Sequence, residues 1–177
     1  MIELYAAAMG DRTIALGGAD RLDDLEPVYR ALYEHHVAVT TWRPAPERGA
    51  DVAWQRRRER WKQTLESPDA ILVIAERDGR VIGALVGESE DPADGSDTFE
   101  VPTSTAHVHD VAVLPEVQGG GVGRALMERF EQVLRERGVK SYGLEVMAGN
   151  DVARTFYEKL GLELAQMTYY KVLPTAD

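Results

Sequence analysis

The run His107-Val108-His109-Asp110-Val111-Ala112-Val113-Leu114 is followed by Pro115 and then by Gln118-Gly119-Gly120-Gly121-Val122-Gly123-Arg124. The first part, from His107 to Leu114, reads as a strand, and the glycine-rich part as a turn that opens a helix. A strand that delivers such a turn onto a helix N-terminus gathers free backbone N–H groups and the positive end of the helix dipole at one point. That point is an anion site. Gly119, Gly120, Gly121 and Gly123 lack a Cβ, so a diphosphate can approach the backbone closely, and Arg124 adds a charge-assisted contact.

Outward from this turn, the following helix runs to about Arg137, with Val122, Ala125, Leu126, Phe130, Val133 and Leu134 on one face and Gly138 as its stop. Tyr142 to Met147 is the next strand, Asn150 caps a helix bearing Ala153, Phe156, Tyr157 and Leu160, and Gly161 ends it. Leu162 to Leu173 supplies one or two final strands. On the N-terminal side, Ile71–Ala75 and Arg80–Val86 are strands joined through Asp78-Gly79, which makes an antiparallel hairpin. Before it come a short strand, Thr13–Leu16, an amphipathic helix beginning near Asp20–Pro27, and a second helix from about Asp51 to Glu66 carrying Trp54 and Trp61. Residues 88 to 105 lose periodicity and hold six acidic residues with no lysine or arginine, an acidic loop before the central strand. Strand-helix-strand units late in the chain imply parallel pairing and the hairpin antiparallel pairing, so the sheet is mixed.

With 177 residues, the expectation is a single domain, 1–177, with a leader over 1–12. The absence of cysteine excludes disulfides, thiolate catalysis and cysteine metal sites. The N-terminal apolar run is short and has no basic flank, so neither a signal peptide nor a membrane association is expected and the chain reads as cytoplasmic. A net charge of −10 disfavours nucleic acid and favours a cationic small partner. Arg56-Arg57-Arg58-Glu59-Arg60 reads as a solvated helix face. His107 and His109 share a face of the strand, but with no cysteine and no patterned third ligand no metal is expected.

Asp110-Val111-Ala112-Val113-Leu114-Pro115 with Gln118-Gly119-Gly120-Gly121-Val122-Gly123 and Arg124-Ala125-Leu126-Met127 behind it resembles the acyl-CoA-binding motif of the Gcn5-related N-acetyltransferase (GNAT) superfamily. The pattern there is Gln or Arg, two residues, Gly, one residue, Gly or Ala, and Gln118, Gly121 and Gly123 match it. Asn150, Ala153, Phe156 and Tyr157, with Glu158-Lys159-Leu160-Gly161-Leu162, resemble the second signature. A Rossmann dinucleotide site fails on its glycine spacing and lacks the acidic ribose ligand.

The resemblance implies an α/β fold with a mixed, mostly antiparallel sheet of six to seven strands, about four flanking helices, and strands splayed to admit acyl-CoA. It implies that Val111, Ala112 and Val113 bind the pantetheine through their backbone, that residues 118 to 124, Val122 included, hold the pyrophosphate, and that Asn150, Ala153 and Tyr157 line the pantetheine arm. Tyr157, about two helical turns after the Asn150 cap, is the candidate proton donor to the leaving thiolate. Glu145 is the candidate base, twelve residues before Tyr157, a spacing that resembles the Glu and Tyr pair of bacterial ribosomal-protein N-terminal acetyltransferases. His109 or Asp110 is the alternative base, on opposite faces of a regular strand. His35, His36 and His109 are candidate acceptor contacts. The expected activity is acetyl transfer from acetyl-CoA to a small primary amine or a peptide N-terminus. Without a thiol nucleophile, direct attack in a ternary complex is expected. The alternative is a noncatalytic acyl-CoA-binding or regulatory module, and a homodimer is compatible with either.

Overall fold

In the computed structural model, residues 12–90 and 104–173 are described; the leader up to residue 11 and residues 91–103 of the acidic loop lie outside them. The elements are strand β1 (Arg12–Gly17), a 3-10 helix (Ala19–Leu25), helices α1 (Glu26–Val39) and α2 (Ala50–Leu65), and strands β2 (Ala70–Arg77), β3 (Arg80–Glu90) and β4 (Thr105–Val113). A short 3-10 turn (Pro115–Val117), helix α3 (Val122–Glu136), strand β5 (Ser141–Leu144) and helix α4 (Asp151–Lys159) complete the order. The sheet runs β1-β2-β3-β4-β5, antiparallel throughout except for the parallel β4–β5 pair.

The β2–β3 hairpin turns through Asp78 and Gly79, both at positive φ (52° and 74°), the geometry that an Asp-Gly pair supplies and that matches the twist of the flanking strands. Ile71–Ala75 are buried on both sides of the sheet, which requires helices on both faces. On one face lies α3, whose Val122, Leu126, Met127, Phe130, Val133 and Leu134 form a continuous buried stripe. Gly83 and Gly87 let this helix come close: a Cβ on Gly83 would sit 3.0 Å from Val122, and one on Gly87 2.9 Å from Phe130. The other face carries α1 and α2, joined by a cluster in which Tyr29, Trp54 and Trp61 meet with ring centroids 5.5 to 6.1 Å apart.

Three expectations are corrected. The described residues form five strands where six to seven were expected, because Leu162–Leu173 adopts no regular structure: β-forming residues make a strand only against a partner edge, and this segment pairs with none. It is largely exposed, and Tyr170 stacks on Trp42 at 4.7 Å. Strand β5 ends at Leu144, so Glu145 to Met147 leave the sheet. Finally, Glu88, placed in the acidic loop, belongs to β3 and pairs with His107.

Candidate active site

Pairing between β4 and β5 starts at Thr105 and Ser141 and stops at Val108 and Leu144, while β4 continues to Val113. Beyond that point the strands part. Leu114 donates its N–H to the Ile82 carbonyl on the β3 side, so by alternation the backbone groups of Val111 and Val113 face the open edge. That edge leads straight to the glycine turn and α3. The first helical bond there is from the Ala125 N–H to the Gly121 carbonyl, which leaves the N–H groups of Val122, Gly123 and Arg124 without an intrahelical acceptor. Gly119 and Gly121 sit at φ 75° and 81°, a left-handed geometry that costs an ordinary residue about 1–2 kcal/mol. The turn is tied at both ends: the Gln118 amide donates to the Val113 carbonyl (3.2 Å) and Arg12 Nη1 donates to the Gly120 carbonyl (2.6 Å). Arg124 is half exposed and only 3.9 Å from Glu128, a weak surface pairing from which it can turn to an anion.

A cleft of about 820 Å³ follows this split. It is lined by the turn, Val111 to Val113, Asn150, Ala153, Phe156 and Tyr157, together with His35 and His36 of α1, Arg57 and Arg60 of α2, His107, His109 and Glu145. All the expected site residues except Gly120, which lies in the turn itself, thus line one cavity. Asn150 is buried and its Oδ1 accepts the Ala153 N–H (3.1 Å), so its side-chain NH₂ is the group left for a ligand. Gly149 beside it lies against α1, where a Cβ would be 2.3 Å from the Val39 carbonyl oxygen. Tyr157 is half-buried, and burial first, with the Asp110 charge second, pushes its phenol up to about 12. It therefore keeps its proton at neutral pH.

The candidate bases differ sharply in surroundings. Asp110 is buried, and one oxygen, Oδ2, accepts from both Arg57 Nη1 (2.7 Å) and Trp61 Nε1 (2.8 Å). Burial pushes its carboxyl above the usual carboxylate range against the opposing pull of these two donors. Glu145 is exposed and has no hydrogen-bond or ion-pair partner among the described residues. His109 Nε2 lies 2.7 Å from Glu88 Oε1. The expectation that His109 and Asp110 point to opposite faces assumed a regular strand, and β4 is bulged there. Val86 pairs with Asp110 and Gly87 with Val108, so His109 is the extra residue. Gly87 and hence Val108 face α3, whereas Asp110 binds α2, two residues away, so the alternation is reversed across the bulge. His36 is driven down to about 4 by burial first, then by the Arg57 and His35 charges, and is neutral at pH 7. Among the described residues no group of three or more His, Cys, Asp or Glu is arranged to hold a metal ion, and no helix is long and apolar enough to cross a membrane.

Arg57, expected on a solvated helix face but paired with buried Asp110, and Trp61, Gly149, Arg12 and Glu88, none of them expected at the site, all shape it. Their partners are 53, 49, 108 and 21 residues away for Arg57, Trp61, Arg12 and Glu88, and no local pattern marks such pairs.

A split sheet with a helix N-terminus at its fork leaves an extended cleft that runs up to free backbone N–H groups. The model of the acetyltransferase (GNAT) family matches residues 11–162, and the chain belongs to that family. The [ribosomal protein bS18]-alanine N-acetyltransferase of Escherichia coli (strain K12) is 40% identical over 80 residues, which cover 44% of this chain and 52% of the relative. The mycothiol acetyltransferase of Propionibacterium freudenreichii is 31% identical over 145 residues, 82% of this chain and 41% of that protein. The chain thus spans about half the length, or less, of these curated relatives. Among solved structures, a tetramutant of the BH1408 protein from Bacillus halodurans superposes with a TM-score of 0.71 at 16% identity, covering 90% of this chain and 99% of that one. Aminoglycoside N-acetyltransferase AAC(6')-Iy in complex with CoA superposes with a TM-score of 0.66 at 17% identity, covering 93% and 95%. At these identities the likeness is one of fold.

Proposed function

We propose that the chain transfers an acetyl group from acetyl-CoA to a primary amine, by direct attack within a ternary complex. The observation that carries this reading is the continuity of the open β4 edge with the free N–H groups of α3, in one cleft that also takes in Tyr157. The diphosphate sits against the N–H groups of Val122, Gly123 and Arg124 and beside the Arg124 side chain. The pantetheine amides add to β4 as a short strand would, through Val111 and the Val113 N–H, with Asn150 across from them. This points the thioester at the place where β4 and β5 part. The Tyr157 hydroxyl, protonated at neutral pH, donates to the thiolate as the C–S bond breaks. The acceptor enters past His35, His36 and Arg60, and its amine loses a proton to a base in the cleft, for which Glu145 and His109 are the candidates, Asp110 being tied to Arg57 and Trp61. The acceptor is a small amine or a peptide N-terminus, the latter supported by the relative named as a ribosomal protein bS18-alanine N-acetyltransferase.

Thiol release from acetyl-CoA, measured across polyamines, aminoglycosides and alanine-initiated peptides, tests the reaction. Turnover with one class identifies the acceptor. Tight CoA binding without turnover on any of them favours a binding module instead. Within an active pair, Tyr157→Phe lowers kcat by roughly 10²-fold with the KM for acetyl-CoA nearly unchanged, and equal kcat removes Tyr157 from the chemistry.

A further inference from the structure

We infer that Glu88 and His109 form a carboxylate–imidazole pair in which Glu88 positions His109 to take the proton from the acceptor amine; this rests on the amine-acetylation reading above. Three geometric facts converge. First, His109 is the residue immediately after the last β4–β5 pair, Val108 with Leu144, so it stands at the fork of the split sheet. Second, the bulge inserts His109 as an extra residue on β4, which leaves it without a cross-strand partner in β3 and turns it away from the regular alternation. Bulges re-aim side chains in this way. Third, Glu88 Oε1 lies 2.7 Å from His109 Nε2, the two side chains are 26% and 28% exposed, and of the two His109 lines the cleft while Glu88 stands behind it.

The chemistry follows from the tautomer. A carboxylate accepts only, so Nε2 carries the hydrogen, and in the neutral ring Nδ1 keeps its lone pair. The ammonium of the acceptor gives a proton to Nδ1, and the resulting imidazolium is held by Glu88. The neutral amine attacks the thioester carbonyl, the C–N bond forms, and the C–S bond breaks. The thiolate takes a proton from Tyr157, which is replenished from the nitrogen of the collapsing adduct, and His109 returns its proton to water. Groups facing the pair are His107, with ring centroids 5.1 Å apart, and Asp110, whose charge is tied to Arg57. Glu145, exposed and without a hydrogen-bond or ion-pair partner among the described residues, has no neighbour there to fix it for proton transfer.

The test is a double-mutant cycle with acetyl-CoA and an alanine-initiated peptide or whichever probe amine the wild type turns over. His109→Ala lowers kcat by about 10²-fold or more, and Glu88→Ala by roughly tenfold to hundredfold. The pair variant is no slower than His109→Ala alone, because Glu88 acts through His109. Glu88→Asp recovers part of the loss, and the KM for acetyl-CoA stays at the wild-type value throughout. Losses that multiply in the double variant, or a Glu88→Gln protein with wild-type kcat, overturn the pairing. The ring nitrogen shifts of His109 give a readout that needs no acceptor. They show the Nε2–H tautomer in the wild type and a mixture in Glu88→Ala, and a mixture in the wild type refutes the pair. Absence of turnover on every probe with the tautomer intact counts against the acetyltransferase reading and leaves the pair standing.

Discussion

Replacing Asp110 separates a structural carboxylate from a catalytic one. In the wild type, a single oxygen accepts hydrogen bonds from Arg57 and Trp61; the Asp110 side chain is 5% exposed and that of Arg57 22%. Asp110→Ala strands the indole N–H of Trp61 in the core and leaves the guanidinium of Arg57 without its counter-ion. Removing one partner of a buried pair costs about 3–5 kcal/mol. Asp110→Asn keeps an oxygen for both donors and no longer places a charge in a site whose burial already disfavours it. Its cost should be smaller, about 1–2 kcal/mol, the worth of the lost charge assistance. Urea denaturation of the two variants at pH 7 measures this, the midpoint falling in the order wild type, Asn, Ala with the slope m unchanged. At a temperature where all are folded, the Asn variant should retain most of its turnover. A fully stable Asn variant with activity lost by two orders of magnitude would refute the structural assignment and make Asp110 the base.

His36 sets an acid limit on stability. Its proton is bound more weakly in the folded state, at about 4, than at the ordinary 6.5 of an unfolded chain, so stability rises with pH between about 4 and 6.5 and is lost as pH falls through that window. At 1.36 kcal/mol per unit and discounted for partial exposure, the loss is roughly 2 kcal/mol. His36→Gln should flatten that part of the stability–pH curve, and an unaltered slope would show that His36 is not its source. Gly149→Ala places a Cβ 2.3 Å from the Val39 carbonyl, backbone against backbone, and should cost about 1–3 kcal/mol. Because Asn150 follows directly, its CoA affinity should fall too, as isothermal titration would show. A variant with the wild-type thermal midpoint and CoA affinity would mean that the turn yields freely.

The local patterns in the chain set each element that has a strong signal of its own. The Asp78-Gly79 hairpin, the stripe on α3, the glycine turn and the Asn150 cap each rest on residues a few positions apart, so neighbouring identities suffice to specify them. The family resemblance was legible for the same reason, since both of its signatures are contiguous. The tertiary structure decided what depends on partners far along the chain. It left Leu162–Leu173 unpaired despite its β-forming residues, because a strand exists only against an edge. It tied Asp110 to Arg57 and Trp61, and it brought Glu88 from the end of β3 to His109. The bulge mattered most, because one extra residue on β4 reverses which side chains share a face, and alternation read from the sequence carries no trace of it. The glycine turn and the Asn150 cap are thus written in short motifs, whereas the surroundings of His109 and Asp110 depend on register, which the assembled sheet alone fixes.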